Sequence, residues 1–245
     1  MTVRNYSIYW FSQYFSECSQ LHSIGYKKNG VFPIWLQNMY HFVLFYCDMD
    51  TLGHEAKRKG WTVIQRRFEG EISFERNWNE YVKGFGKLDG EHWKGLENIF
   101  AITRQESSET HLQGYRPPRL RFDFEDWDGI TAYTERAVFL VSGAVGQYGI
   151  PVLGKMYGNA TSPNGGVSFF TSVFSTVDYD NTERNCPLLF KGAWWFGHGC
   201  GLSNLNGPYP EQNSLMGEHN IYWRGWIYVN PQKTALRRVS MKIQY

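Results

Sequence analysis

The sequence predicts an α+β fold in which strands and short helices form a body, a loop-rich region follows, and the last strand returns to the body. Three observations lead there. Apolar and polar residues alternate at Leu120, Phe122 and Phe124, and again from Val239 to Tyr245, as in half-buried strands. Earlier in the chain Phe74, Trp78, Tyr81, Val82 and Phe85 recur at the spacing of one helical face. From about Tyr148 Gly, Pro, Asn and Ser accumulate, as in Ser162-Pro163-Asn164-Gly165-Gly166 and Asn204-Leu205-Asn206-Gly207-Pro208, and regular periodicity fades until the final strand.

Taken in order, Val43 to Tyr46 reads as a strand that delivers Cys47. A loop with Gly53 and the cluster Lys57-Arg58-Lys59 follows, and Trp61 to Phe68 reads as the next strand. The helix that presents Phe74 to Phe85 has Ser73 as its expected N-cap and Gly84 or Gly86 as its stop. A second, shorter helix is expected from Asp89, with Trp93, Leu96 and Ile99 inward and Glu91, Lys94 and Glu97 outward. The Leu120–Phe124 strand then turns at Asp128-Gly129 into a hairpin partner running from Thr131 to Val141.

Composition narrows the function. With 245 residues, 42% of them hydrophobic, the chain can bury a substantial core. The net charge of +2 gives no field to recruit nucleic acid or an anionic membrane. Aromatics are abundant, at 10 Trp, 16 Tyr and 17 Phe, which suits long loops pinned by buried rings and also suits a carbohydrate surface. The four cysteines fall into an early and a late pair, so Cys18–Cys47 and Cys186–Cys200 is the economical pairing; four buried thiols in a cytosolic protein is the other reading. Residues 1–15 show no signal-peptide pattern. The expectation is therefore a cytosolic chain, a fragment of a longer secreted protein, or a start that lies elsewhere. The longest apolar run, Phe42 to Tyr46, is too short to cross a bilayer, and no membrane insertion is expected. Sequons at Asn5 and Asn159 suit an extracellular domain.

The best candidate for a site is Asp178-Tyr179-Asp180, followed by Asn181-Thr182-Glu183-Arg184-Asn185-Cys186. Two carboxylates one residue apart can share a loop concavity, and a hard calcium ion takes further oxygens from backbone carbonyls such as those of Thr182 and Arg184. Catalytic signatures are absent: there is no G-x-S-x-G, H-E-x-x-H, P-loop or dinucleotide fingerprint. The acidic run Asp123 to Asp128 reads as a charged strand end and turn rather than a pair of hydrolytic carboxylates.

A set of spaced residues then resembles the fibrinogen C-terminal domains. Cys47-Asp48-Met49 and Gly60-Trp61-Thr62-Val63-Ile64-Gln65-Arg66-Arg67 look like the opening signature. The likeness continues through Gly84-Phe85-Gly86, Trp93, Gly95-Leu96-Glu97 and Glu125-Asp126-Trp127-Asp128-Gly129. It closes with Asn185-Cys186, Gly192-Ala193-Trp194-Trp195, Cys200 and Ser203-Asn204-Leu205-Asn206-Gly207. The resemblance implies a central twisted antiparallel sheet with short helices plus a loop-rich calcium-binding subdomain. It divides the chain into an extension over 1–17 and one domain over 18–245, with subdomains at about 18–60, 61–147 plus 236–245, and 148–235. It implies both disulfide pairings, a structural calcium at Asp178, Asp180, Thr182 and Arg184, and a cis peptide at Gly199-Cys200. It places a ligand pocket at Phe190, His198, Gly199, Cys200 and Glu218.

Members of this family bind acetylated sugars, a peptide knob or receptors. Here the acetyl pocket is altered: Gly201 stands where its His would be, and Gly217, Glu218 and Val229 replace other wall positions. The implied function is an extracellular, secreted, calcium-stabilised recognition module and not an enzyme. Acetylated or acidic glycans are its first expected ligand, and a protein partner of adhesion or receptor-ligand type is the alternative. Multimerisation would come from sequence outside this chain.

Overall fold

The computed structural model describes residues 14–54, 58–105, 117–161, 172–217, 219–232 and 234–245. The early elements are α1 (Cys18–Ser23), β1 (Gly30–Leu36), β2 (His41–Asp48) and β3 (Trp61–Arg67). Next come α2 (Trp78–Lys83), β4 (Phe85–Gly86), β5 (His92–Trp93) and α3 (Leu96–Thr103). The body continues with β6 (Arg119–Asp126), β7 (Thr131–Arg136), β8 (Phe139–Leu140), β9 (Val152–Leu153) and β10 (Met156–Gly158). The loop-rich part carries α4 (Cys186–Leu189), β11 (Ser203–Asn204) and β12 (Tyr222–Trp223) before β13 (Leu236–Gln244).

The main antiparallel sheet runs in the order β1-β2-β3-β13-β6-β7-β10, with β5 and β4 attached beside β3, while β8–β9 and β11–β12 form separate two-stranded pairs. The chain's last strand is its middle one. β13 pairs with β3 from Val239↔Arg67 to Ile243↔Thr62 and with β6 from Val239↔Phe124 to Ile243↔Leu120. Alternation decides the faces. Leu120, Phe122 and Phe124 of β6, with Val239, Met241 and Ile243 of β13, are buried in the core. Asp123, Glu125, Arg238 and Ser240 stay partly or fully exposed on the opposite face. The disulfide-bonded N-terminal hairpin β1–β2 is the flank of this same sheet, through Tyr46↔Val63 to Asp48↔Trp61.

The aromatic residues fill the interior. Trp93, Phe174 and Trp195 meet at centroid distances of 5.8, 5.1 and 5.9 Å, with Tyr81 5.4 Å from Trp93. A second group packs Trp223 against Phe122 and Phe124 at 4.9 and 5.0 Å. Both groups clamp the loop-rich region to the sheet, since Phe174, Trp195 and Trp223 all come from it. Such packed rings contribute beyond the area they bury.

Several boundaries differ from expectation. The first helix begins at Trp78, four residues inside the predicted start, because Asn77 and Glu80 form a reciprocal capping box and Ser73 does not cap it. Gly84, at φ 91°, ends it as expected. The second helix starts at Leu96, not Asp89: Trp93 lies in β5, and Gly95 sits at φ 93° with Lys83 backbone pressed against it, which breaks any helix running through. The partner of β6 stops at Arg136, and β8 leaves to pair with β9. Strand β1 and helix α1 were not predicted. Pro33 masks β1, yet on a sheet edge its missing N–H costs no ladder bond.

Candidate functional site

The Asp178–Asp180 loop is a tight turn fixed to the core on both sides. Thr176 and Tyr179 exchange backbone hydrogen bonds of 3.1 Å, and Ser175 does the same with Trp194 at 3.0 and 3.1 Å. Asn181 donates its side-chain amide to the carbonyl of Phe174 and its N–H to Ser175 Oγ. Behind the loop, β3 supplies buried polar struts: Gln65 donates to the Leu205 carbonyl, and Arg67 to those of Leu205 and Gly207. Burial lowers the Arg67 guanidinium to about 10 against the pull of Glu91, and the ring of Phe74 lies 3.9 Å beneath it. Asn204 and Asn206 then bond the Phe190 and Ala193 carbonyls. The Asn-rich stretch thus scaffolds the segment that carries α4.

Each aspartate uses one oxygen to hold the loop. Asp178 Oδ1 accepts from Thr176 Oγ1 (2.8 Å) and from the N–H of Trp78 (2.9 Å), the first residue of α2. Asp180 Oδ1 accepts from Thr182 N–H (2.8 Å) and Thr182 Oγ1 (2.7 Å). Both side chains are exposed, and neither Oδ2 accepts a hydrogen bond among the described residues. Two hard carboxylate oxygens therefore face solvent, and the carbonyls of Thr182 and Arg184 accept no backbone N–H among the described residues. That donor set fits calcium, with water completing the shell. Among the described residues no group of three or more His, Cys, Asp or Glu is assembled, which leaves carbonyls and water as the remaining donors.

The loop connects directly to the late disulfide. Thr182 Oγ1 accepts from Cys186 N–H (2.9 Å), and Cys186 bonds Cys200 across Cα atoms 5.1 Å apart. Cys18 and Cys47 are joined likewise, with Cα atoms 5.6 Å apart. Arg184 reaches across the loop, its Nη1 lying 3.7 Å from where a side chain on Gly199 would begin. The expected cis bond at Gly199-Cys200 is corrected: the peptide is trans, and the chain reverses through two left-handed residues, Gly199 at φ 67° and Cys200 at φ 69°. Glycine reaches that region freely.

Of the expected pocket residues, Phe190 and Cys200 are buried and Gly199 is exposed. Phe190 and Phe196 pack together at 5.7 Å, so the aromatic wall is turned into the interior. Glu218, Asn5 and the His198 side chain lie outside the described residues. Asn159 is exposed. The acidic run is structural: Asp126 Oδ1 caps the turn at Asp128 and Ile130, its Oδ2 accepts from Asn230, and Asp128 accepts from Thr234. Sequence reasoning placed Trp78 on a helical face and missed its part at the site: it packs on Tyr179 at 4.5 Å with the rings tilted by 40°, and lends its N–H to Asp178. The Asn77-x-x-Glu80 cap would have placed that helix start.

The profile described as fibrinogen beta and gamma chains, C-terminal globular domain, matches residues 14–245. The chain belongs to the fibrinogen C-terminal domain family. Relatives of this fibrinogen C-terminal domain include angiopoietin-2 of Canis lupus familiaris, 35% identical over 87% of this chain and 41% of that protein. Fibrinogen C domain-containing protein 1-B of Xenopus laevis is 34% identical over 93% and 47%, and human angiopoietin-1 is 33% identical over 94% and 43%. The chain thus spans less than half the length of these curated relatives. Among solved structures, the fibrinogen-like globe domain of human ANGPTL2 superposes with a TM-score of 0.77 at 31% identity, covering 94% of this chain and 98% of that one. The lamprey fibrin D-dimer complexed with the peptide Gly-His-Arg-Pro-amide gives 0.75 at 25% identity, covering 93% and 72%.

Proposed function

We propose that this fibrinogen C-terminal domain is an extracellular recognition module, not an enzyme, and that it binds a protein partner through the face formed by the Asp178–Asp180 loop and α4. The observation that carries this reading is a rim of exposed apolar side chains around that loop. Val177 and Tyr179 are 50% and 43% exposed, and Leu188 and Leu189 on α4 are 63% and 52% exposed. They sit on segments that Thr182 and the Cys186–Cys200 bridge hold together, so the rim is presented by a stiff support. Exposed apolar surface rimmed by charge suits a protein interface better than a sugar pocket. The inward-turned Phe190–Phe196 pair argues against the acetylated glycan expected first. The peptide ligand of the lamprey relative supports the protein reading further.

Calcium, in this proposal, binds between the Oδ2 atoms of Asp178 and Asp180 and the Thr182 and Arg184 carbonyls. It supplies order and no chemistry. The test pairs two surfaces with two variants. The wild-type domain is expected to pass unretained through N-acetylglucosamine resin and to bind members of an array of extracellular protein domains, with Leu188→Asp and Leu189→Asp abolishing that binding while leaving Tm unchanged. Calcium-dependent retention on the resin, unaffected by the leucine variants, would return the glycan reading to first place.

A further inference from the structure

The outer face of the sheet carries a groove that the C-terminal loops do not use. It has a volume of about 750 Å³ and is floored by β3, β13, β6 and β7. Strand register sets its residues in rows. Arg66 faces Ser240, Ser240 faces Asp123, and Asp123 faces Tyr133. Gly158 pairs with Thr134, so the next residue, Asn159, completes the same row beside Tyr133 and lines the groove. The adjacent row brings Arg238 opposite Glu125, their charged groups 3.5 Å apart. Below lies a recessed floor in which Lys242 is 3% exposed and joins Asp123 at 2.6 Å, and Arg121 joins Asp123 at 2.8 Å. From Asn159 to Arg66 the row crosses four strand spacings, about 19 Å.

Asn159 is held in one orientation at the end of this row. Its N–H and that of Ala160 donate to the Tyr133 carbonyl at 3.1 Å, and its own Oδ1 accepts from Tyr133 N–H at 2.9 Å. Its Nδ2 donates to nothing among the described residues. Asn159-Ala160-Thr161 is a sequon. N-glycosylation uses Nδ2 and leaves Oδ1 its acceptor lone pairs, so the modification and the fold do not compete for the side chain.

The geometry points to Asn159 as a glycan attachment site whose N-linked oligosaccharide lies along the charged groove of the sheet's outer face. This rests on the extracellular placement proposed above. In the transfer, Nδ2 attacks the anomeric carbon of a lipid-linked oligosaccharide diphosphate. A C–N bond forms, the carbon–oxygen bond to the diphosphate breaks, the lipid diphosphate leaves, and Nδ2 gives up one proton. The attached chain starts at a fixed point and runs over carboxylates, guanidinium groups and the Ser240 hydroxyl, all partners for sugar hydroxyls. The small side chain of Ser240 at mid-row leaves room for the sugar rings.

The test directs the full chain into the secretory pathway of animal cells with an added leader, in an Asn5→Gln background. Glycopeptide mass spectrometry is expected to find Asn159 occupied. Labelling of Arg66 and Arg238 by a dicarbonyl reagent is expected to rise several-fold after enzymatic removal of the glycan, while labelling of Arg76, on the cap of α2, does not change. Thr161→Ala, which keeps the Asn159 hydrogen bonds and destroys the sequon, is expected to label like the deglycosylated protein; Asn159→Gln serves as the second variant. An unoccupied Asn159 overturns the proposal, and because the leader forces entry it leaves the extracellular reading intact. Equal labelling of Arg66 and Arg238 with and without the glycan also overturns it.

Discussion

His92 on β5 is 1% exposed, and burial lowers its imidazole to about 4 from an ordinary 6.5. Below pH 6.5 the unfolded chain takes up a proton that the folded one refuses, so stability is full above that pH and falls as pH drops towards 4. Asp48 extends the trend. Burial would raise its carboxyl, but the Lys242 ammonium and hydrogen bonds from Lys242 and Thr51 outweigh it and hold the group at about 2, against 3.8. Its contribution is lost between those two values. Urea unfolding should therefore show a plateau above pH 7 and a loss of about 2 kcal/mol by pH 5, and His92→Gln should flatten that slope. Lys242 is sandwiched between Asp48 and Asp123, joining the N-terminal hairpin to mid-sheet. Lys242→Met leaves the Asp48 carboxylate without its cation, while Asp123 keeps Arg121, and should cost about 2 kcal/mol in denaturant unfolding at neutral pH.

Helix α2 has only six residues and would not persist alone. It is capped twice, by Asn77 from its own chain and by Asp178 from the candidate metal loop, 100 residues later. The cap that Asp178 provides and its proposed part in holding calcium can be separated. Asp178→Asn keeps an oxygen for the Trp78 N–H and removes the charge. It should leave the calcium-free unfolding free energy within about 0.5 kcal/mol of wild type and abolish the rise in Tm that the proposed calcium would give, whereas Asp178→Ala should also lower the calcium-free stability. Elements of this kind show what was legible in the sequence. The strand at Leu120–Phe124 announced itself because its apolar residues alternate over one buried face. Strand β1 did not, since Pro33 and its exposed edge break that signal. Trp93 suited a helical face by spacing but belongs to β5, because the left-handed Gly95 behind it severs the pattern. At the site, the Cys186–Cys200 bridge followed from the late cysteine pair, and Asp178 and Asp180 stood out only as two carboxylates one residue apart. The part of Trp78 was not, because the contact exists only after the loop folds back onto the sheet. The inward turn of Phe190 follows from packing against Phe196, which spacing does not reveal.

At the scale of the whole molecule, the loop-rich region is fastened to the sheet by rings and by polar struts from β3, so loops and sheet should unfold together as one unit. Loss of the Cys186–Cys200 bridge, by Cys186→Ala with Cys200→Ala, removes a closed loop of 14 residues in sequence separation. It should cost about 3 kcal/mol by chain entropy, seen in calorimetry as one transition at lower temperature and not as two. β13 sets a different kind of limit. Residues 236–244 fill the centre of the sheet, and until they exist β3 and β6 have no common neighbour. On a ribosome that makes about 5 to 20 residues each second, β3 therefore waits roughly 10 to 35 seconds for its partner after it has been synthesised. Once β6 has been made, the faces of Phe122 and Phe124 stay open to other nascent chains and to holdase chaperones for the remaining roughly 6 to 24 seconds. Nascent chains stalled at successive lengths should stay sensitive to protease until Gln244 has cleared the exit tunnel, then become resistant in a single step.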